Sequence, residues 1–143
     1  MGFIKSSFII SISATIIVIF IAVPAAYYVA RNNFRGKKLF LLLVLVTQMF
    51  APTALVVGIF REIVKLNLVD TYLALILIYA AFNMAFSIWI LSSFFASIPQ
   101  EIEEAAWIDG CNRFTTLTRI VLPLALPGLV TAFIFTFIAA WNE

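Results

Sequence analysis

Residues 6–30, 39–60, 71–100 and 120–142 contain no Asp, Glu, Lys or Arg, and each of these four runs is dense in Ile, Leu, Val, Phe and Ala. A bilayer core of ~30 Å is crossed by ~20 apolar residues in helical form, so each run is long enough for one crossing. Strands are excluded by the pattern. Apolar and polar positions do not alternate, and an open strand in lipid would leave its backbone groups unpaired. The pattern predicts an all-α integral membrane protein with about four transmembrane helices, at about residues 8–30, 39–60, 72–97 and 123–142.

Between the third and fourth spans lies the one long polar interval of the C-terminal half, residues 98–122. It holds six charges: Glu101, Glu103, Glu104, Asp109, Arg113 and Arg119. Its residues predict a helix-turn-helix. Ser97 can cap the first helix, with Gln100 as capping-box partner and Pro99 in the first turn. The acids that follow are favoured by the positive end of the helix dipole. Ile102, Ala105 and Ala106 form a narrow stripe, Gly110 suits a left-handed stop, and Asn112 can cap the second helix. The second stripe is Phe114, Leu117, Ile120 and Val121, and Pro123 is expected to begin the last span. Interfacial helices that rest on lipid are rich in Lys and Arg. This interval is net negative, which favours a protein partner that grips small alanines in a groove.

Charge sets the orientation. Arg31, Arg35, Lys37 and Lys38 crowd the connection between the first two spans with no acid among them, the mark of a cytoplasmic loop. Two crossings later the chain is back on that side, which places the polar interval in the cytoplasm. The composition agrees with a lipid solvent: 64% of residues are hydrophobic and 11% charged, against about 25% charged in soluble domains. A net charge of +2 gives no footprint for nucleic acid. Gly2 and Ser6 fit an acylation pattern, but several crossings already anchor the chain. The first run is too long for the ~7–15 apolar residues of a signal core.

Little chemistry is on offer. The sequence has no histidine and a single cysteine, Cys111, so no metal ligand set, disulfide or Cys-His nucleophile is expected, and no catalytic residue. The spans carry no ionisable Asp, Glu, Lys or Arg, which disfavours a proton or sodium relay. Their polarity is scattered over Thr47, Gln48, Asn83, Ser87, Ser92, Ser93, Thr131 and Thr136. Hydrogen bonding between helices or to the backbone accounts for such residues. The sharper reading is that Gln48 and Asn83 line a path for a neutral, hydroxylated solute. Ala81 and Ala85 form a small-xxx-small pair suited to close helix approach, and Pro24, Pro52 and Pro127 permit kinks.

Glu104-Ala105-Ala106, three residues, Gly110, nine residues, then Ile120-x-Leu122-Pro123 resembles the EAA signature of permease subunits in binding-protein-dependent ABC importers. Ile98-Pro99, Ile108-Asp109-Gly110, Leu122-Pro123-Leu124 with Pro127, and Trp141-Asn142-Glu143 resemble the carbohydrate-uptake branch with its maltose-type second permease. So do Ala26-Tyr27, Phe34-Arg35-Gly36, Gln48-Met49 with Pro52, and Leu68-Val69-Asp70-Thr71. The resemblance implies a multi-pass protein of a bacterial or archaeal plasma membrane. It implies that Glu104, Ala105, Ala106, Asp109, Gly110, Ile120, Leu122 and Pro123 couple transport to a separate ABC ATPase, which holds the ATP and Mg. No cofactor is expected on this chain, whose Gly36-Lys37-Lys38 is not a phosphate-cradling loop. The partners implied are ATPase subunits, a second, non-identical permease, an extracytoplasmic solute-binding protein and the bilayer. Members have about six spans, so a chain with four is expected to be a fragment.

Two rivals remain at this level. A small membrane scaffold or channel-like protein would show no ATPase on gentle pull-down. An intramembrane enzyme would lose activity on mutation of Cys111 or Asp109 with no motor present.

Overall fold

Two of the four uncharged runs fold as single helices: α1 (Gly2–Arg31) and α4 (Tyr72–Ser97). The structure, a computed structural model, describes residues 2–49 and 52–142. Met1 and Glu143, the latter closing the C-terminal resemblance, lie outside the described residues. The Thr71 side chain caps α4 by accepting from the Ala74 N–H at 3.4 Å while its hydroxyl donates to the Leu68 carbonyl at 2.7 Å. Pro24 lies inside α1 without ending it.

The run at 39–60 is not one helix. It is divided between α2 (Lys37–Thr47) and α3 (Pro52–Lys65). Pro52 has no N–H for the carbonyl four residues back and is tolerated as the first residue of a helix, so the helix stops short of it. The last span also differs from expectation. After α5 (Gln100–Ile108) and α6 (Arg113–Thr116), the helix widens into a π-helical turn (Leu117–Val121), then tightens through α7 (Leu122–Leu124). It breaks at Ala125, and α8 (Leu126–Asn142) sets off at 77° to the preceding segment. Pro123 cannot donate to Arg119, and Pro127 cannot donate to Pro123. The first gap matches the wide turn, in which Leu122 N–H reaches Leu117, and the second matches the break. The helix expected to begin at Pro123 therefore begins at Leu126. Among the described residues, two helices are singly long and apolar enough to cross a bilayer, and up to three if the bent pair counts as one.

Pairings along the helices fix their directions. At one end the Ser6 and Tyr72 hydroxyls meet at 3.0 Å. At the other, Arg31 Nη1 donates to the Ile98 carbonyl at 3.0 Å, so α1 and α4 run parallel. Lys37 Nζ donates to the Ala30 carbonyl, which starts α2 at the Arg31 end. The chain then returns to the Tyr72 end through α2 and α3, whose combined helical rise of about 37 Å is close to the ~39 Å of α4. In α8, Thr136 bonds Ser87 and Gly128 abuts Phe94, so α8 runs antiparallel to α4. The basic 31–38 loop and the acidic interval thus share one end of the bundle.

Small residues dominate the inward row of α1, which packs beside Leu91 and Phe95 of α4. Ala14, Val18, Ala22 and Ala26 of α1 are wholly buried at intervals of four, while Phe20 on the same helix is 80% exposed. Between helices in lipid there is no hydrophobic drive to hide large residues, and close backbone approach selects small ones. This α1 row makes the close approach, whereas Ala81, from the expected Ala81–Ala85 pair, is exposed. The Ser87–Thr136 hydrogen bond at 2.9 Å is buried between α4 and α8. Thr136→Val is expected to cost ~0.6 kcal/mol, in line with interhelical hydrogen bonds in membranes. Reversible unfolding in mixed micelles reads that value.

Candidate functional site

The acidic interval folds into a short helix standing at the Arg31 end of the bundle. Its stop is built by Gly110, whose φ of +88° is left-handed. Gly110 N–H donates to Trp107 at 3.1 Å and Cys111 N–H to Ala106 at 2.9 Å, the paired bonds of a glycine-closed helix end. Asn112 Oδ1 then accepts from Thr115 N–H at 2.8 Å and caps α6. Both were legible in sequence. The start differs: Ser97 Oγ donates back to Phe94 at 2.7 Å, and Pro99 precedes α5 with no side-chain cap.

The faces of α5 are rotated from the expected ones. Glu103 and Ala106 point inward and are buried. Glu101, Glu104, Ala105 and Ile108 are exposed and fall at i, i+3, i+4 and i+7, one continuous helix face. Ile108, at 86% exposure, is its apolar knob. Ala106 is therefore not on the surface that Glu104 and Ala105 present. Asp109 and Gly110 are exposed at the tip. Ile120 and Leu122 are half-buried and Pro123 exposed, all three just before the 77° bend. Phe114 is 75% exposed; Thr116 is buried in its stead, its hydroxyl donating to the Asn112 carbonyl at 3.0 Å.

Behind α5 sits an anchor that sequence reasoning missed. Glu103 Oε1 accepts from Arg31 Nε at 2.6 Å, and Oε2 accepts from the Tyr27 hydroxyl at 2.5 Å. Arg31 Nη2 also abuts Oε1, though out of line for a hydrogen bond. The Tyr27 ring meets Phe95 edge-on with centroids 5.9 Å apart. A cavity of about 350 Å³ opens beside the anchor, lined in part by Tyr28, Asn32, Trp107 and Arg113, with the Arg113 guanidinium 5.6 Å from the Trp107 ring centroid. The available signal was Arg31 as the charge that ends the first span.

Gln48 and Asn83, the residues expected along a path, lie at the end of α2 and within α4. Gln48 is exposed at the end of α2. The Asn83 amide donates to the Tyr79 carbonyl one turn earlier at 2.8 Å, as Thr131 does to Pro127, Ser93 to Trp89 and Ser92 to Trp89. Such bonds satisfy polar groups within their own helix.

Comparison with known proteins gives a consistent result. The family described as binding-protein-dependent transport system inner membrane component matches residues 19–143. A trehalose/maltose transport system permease protein of Thermococcus litoralis is 43% identical over 142 residues, covering 99% of this chain and 51% of that protein. A trehalose transport system permease protein of Mycobacterium tuberculosis is 40% identical over 94% of this chain and 49% of its own length. Among solved structures, a bacterial ABC transporter involved in the import of the acidic polysaccharide alginate superposes with a TM-score of 0.81 at 27% identity, over 97% of this chain and 48% of that one. The chain thus spans about half the length of the curated relatives it matches.

Proposed function

This chain belongs to the binding-protein-dependent transport system inner membrane component family, and from that premise we propose that it forms part of the permease of an ATP-driven importer, with sugars as the solute class. The observation that carries the coupling role is the outward face of α5. Glu104 and Ala105 of the EAA signature are exposed together with Ile108, on a helix held from behind and closed by Gly110. Such a face offers two acids, a small residue and an apolar knob to a groove on another protein. The sugar class rests on relatives whose names specify trehalose and maltose.

In this reading the Arg31 end of the bundle is cytoplasmic, because the basic cluster of residues 31–38 lies there with the acidic interval beside it. The chain crosses four times, the second time as the broken pair α2 and α3. The ATPase that grips α5 holds ATP and Mg, a second permease completes the path, and an extracytoplasmic binding protein delivers the solute. ATP closes the motor, α5 moves with it, and the bundle alternates its access. Driving the bundle from about 1:99 to 99:1 requires about 5.5 kcal/mol of differential binding. Ala105→Trp places a bulky ring on the outward face without touching the interior. It is expected to remove the ATPase from the complex and abolish solute-stimulated hydrolysis, read by pull-down and phosphate release. Wild-type stimulation in that variant would count against docking through α5.

A further inference from the structure

The anchor behind α5 has a role of its own. Glu103 and Arg31 are 72 positions apart in sequence and on different sides of the α2–α3–α4 excursion. The main backbone packing partner of α5 is α6, so side chains carry its link to α1. That link joins three parts of the fold: Tyr27 and Arg31 on the last turn of α1, the Ile98 carbonyl in the α4–α5 connection, and Glu103 on α5. The Glu103 side chain is 2% exposed and that of Arg31 11%, so solvent screening is weak there.

We propose that Glu103, acting through Arg31 and Tyr27, is the positioning residue that transmits displacement of α5 to α1, and so joins the docking face to the first helix of the bundle. The inference rests on the importer reading. A buried ion pair is poor evidence for stability, because apolar side chains of similar volume often hold a fold as well or better. What the pair adds is direction. Oxygen and nitrogen atoms fixed at 2.5 and 2.6 Å set register between two helices, whereas apolar packing lets one slide along the other. The position fits the task, because Glu103 lies about 100° around the helix from Glu104 and is buried where Glu104 is exposed. A push on the outward face has less than one helix diameter to travel before it reaches the anchor.

The test uses the assembled transporter in proteoliposomes, with the complete permease, its ATPase and its binding protein. Glu103→Gln keeps the shape and removes the charge. It is expected to keep the ATPase on pull-down, to lower solute uptake per ATP about tenfold, the scale of common site-to-site coupling, and to speed amide exchange across residues 100–108. Tyr27→Phe, which removes one hydrogen bond, is expected to fall between it and wild type. The paired Arg31→Met, Glu103→Leu variant separates transmission from plain packing: exchange recovers while uptake per ATP stays low. Wild-type uptake per ATP in Glu103→Gln, or its full recovery in the apolar pair, overturns the proposal. So does loss of the ATPase in Glu103→Gln, which would make Glu103 part of the docking face. A wild-type chain that captures no ATPase sinks the importer reading itself, and this inference with it.

Discussion

Gly110→Pro is expected to abolish solute-stimulated ATP hydrolysis in the reconstituted transporter while leaving insertion into the membrane intact. Gly110 closes α5 with φ at +88°, and proline is held near −65°. The substitution also deletes the N–H that donates to Trp107 at 3.1 Å. Forcing an ordinary L-residue into the left-handed region costs roughly 1–2 kcal/mol, and proline adds the lost bond and a ring that cannot reach the conformation. The end of α5 must then unwind or swing, and Ile108 and Asp109 at its tip go with it. A Cβ at Gly110 meets nothing within 4 Å, so Gly110→Ala isolates the backbone angle from steric crowding. It is expected to retain reduced stimulation, above Gly110→Pro and below wild type. Phosphate release with and without solute reads the series, and protease protection reads insertion. Full stimulation in Gly110→Pro would mean that the geometry of this stop plays no part in coupling.

The same region shows how far residues alone reach. Gly110 and Asn112 were readable because each acts within a few positions of itself: one conformation that suits glycine, one side-chain oxygen aimed at a nearby N–H. The inward face of α5 was not readable. A nine-residue helix carrying acids and alanines has no long stripe, so its orientation is decided by a partner far off in sequence. Arg31, at the end of α1, turns Glu103 inward, and the expected Ile102, Ala105, Ala106 stripe gives way to Glu103 and Ala106. The uncharged runs marked the apolar segments but were a poor guide to helix continuity. Charge measures the cost of solvation in lipid, while continuity depends on backbone donors, which Pro52, Pro123 and Pro127 lack. Pro24, by contrast, sits within an unbroken α1, so a proline permits a break and the packing around it decides whether one forms.

Gly128→Leu is expected to cost about 3 kcal/mol or more, the upper range for forcing extra carbons into a packed interior. Gly128 is buried in the first turn of α8, where even a bare Cβ would stand 2.4 Å from Phe94 Cγ and 2.7 Å from Phe94 Cβ. Those atoms lie next to the α4 backbone, so a rotation of the Phe94 ring cannot clear them all; the two helices must separate. Separation strains the Ser87–Thr136 bond at 2.9 Å and the Phe86–Phe135 contact, whose centroids are 4.4 Å apart. It also acts on the bend at Ala125, only three residues earlier in the chain, through which the α6–α7 segment meets α8. Gly128→Ala is expected to cost about 1–2 kcal/mol. Adding Phe94→Ala should recover only part of that loss, since it removes Cγ and the ring but leaves Cβ at 2.7 Å. Denaturant midpoints in mixed micelles rank the three variants. Equal midpoints for Gly128→Leu and wild type would mean that α8 does not lie against α4 at this glycine, and that the elbow after Pro123 is held by something other than this contact.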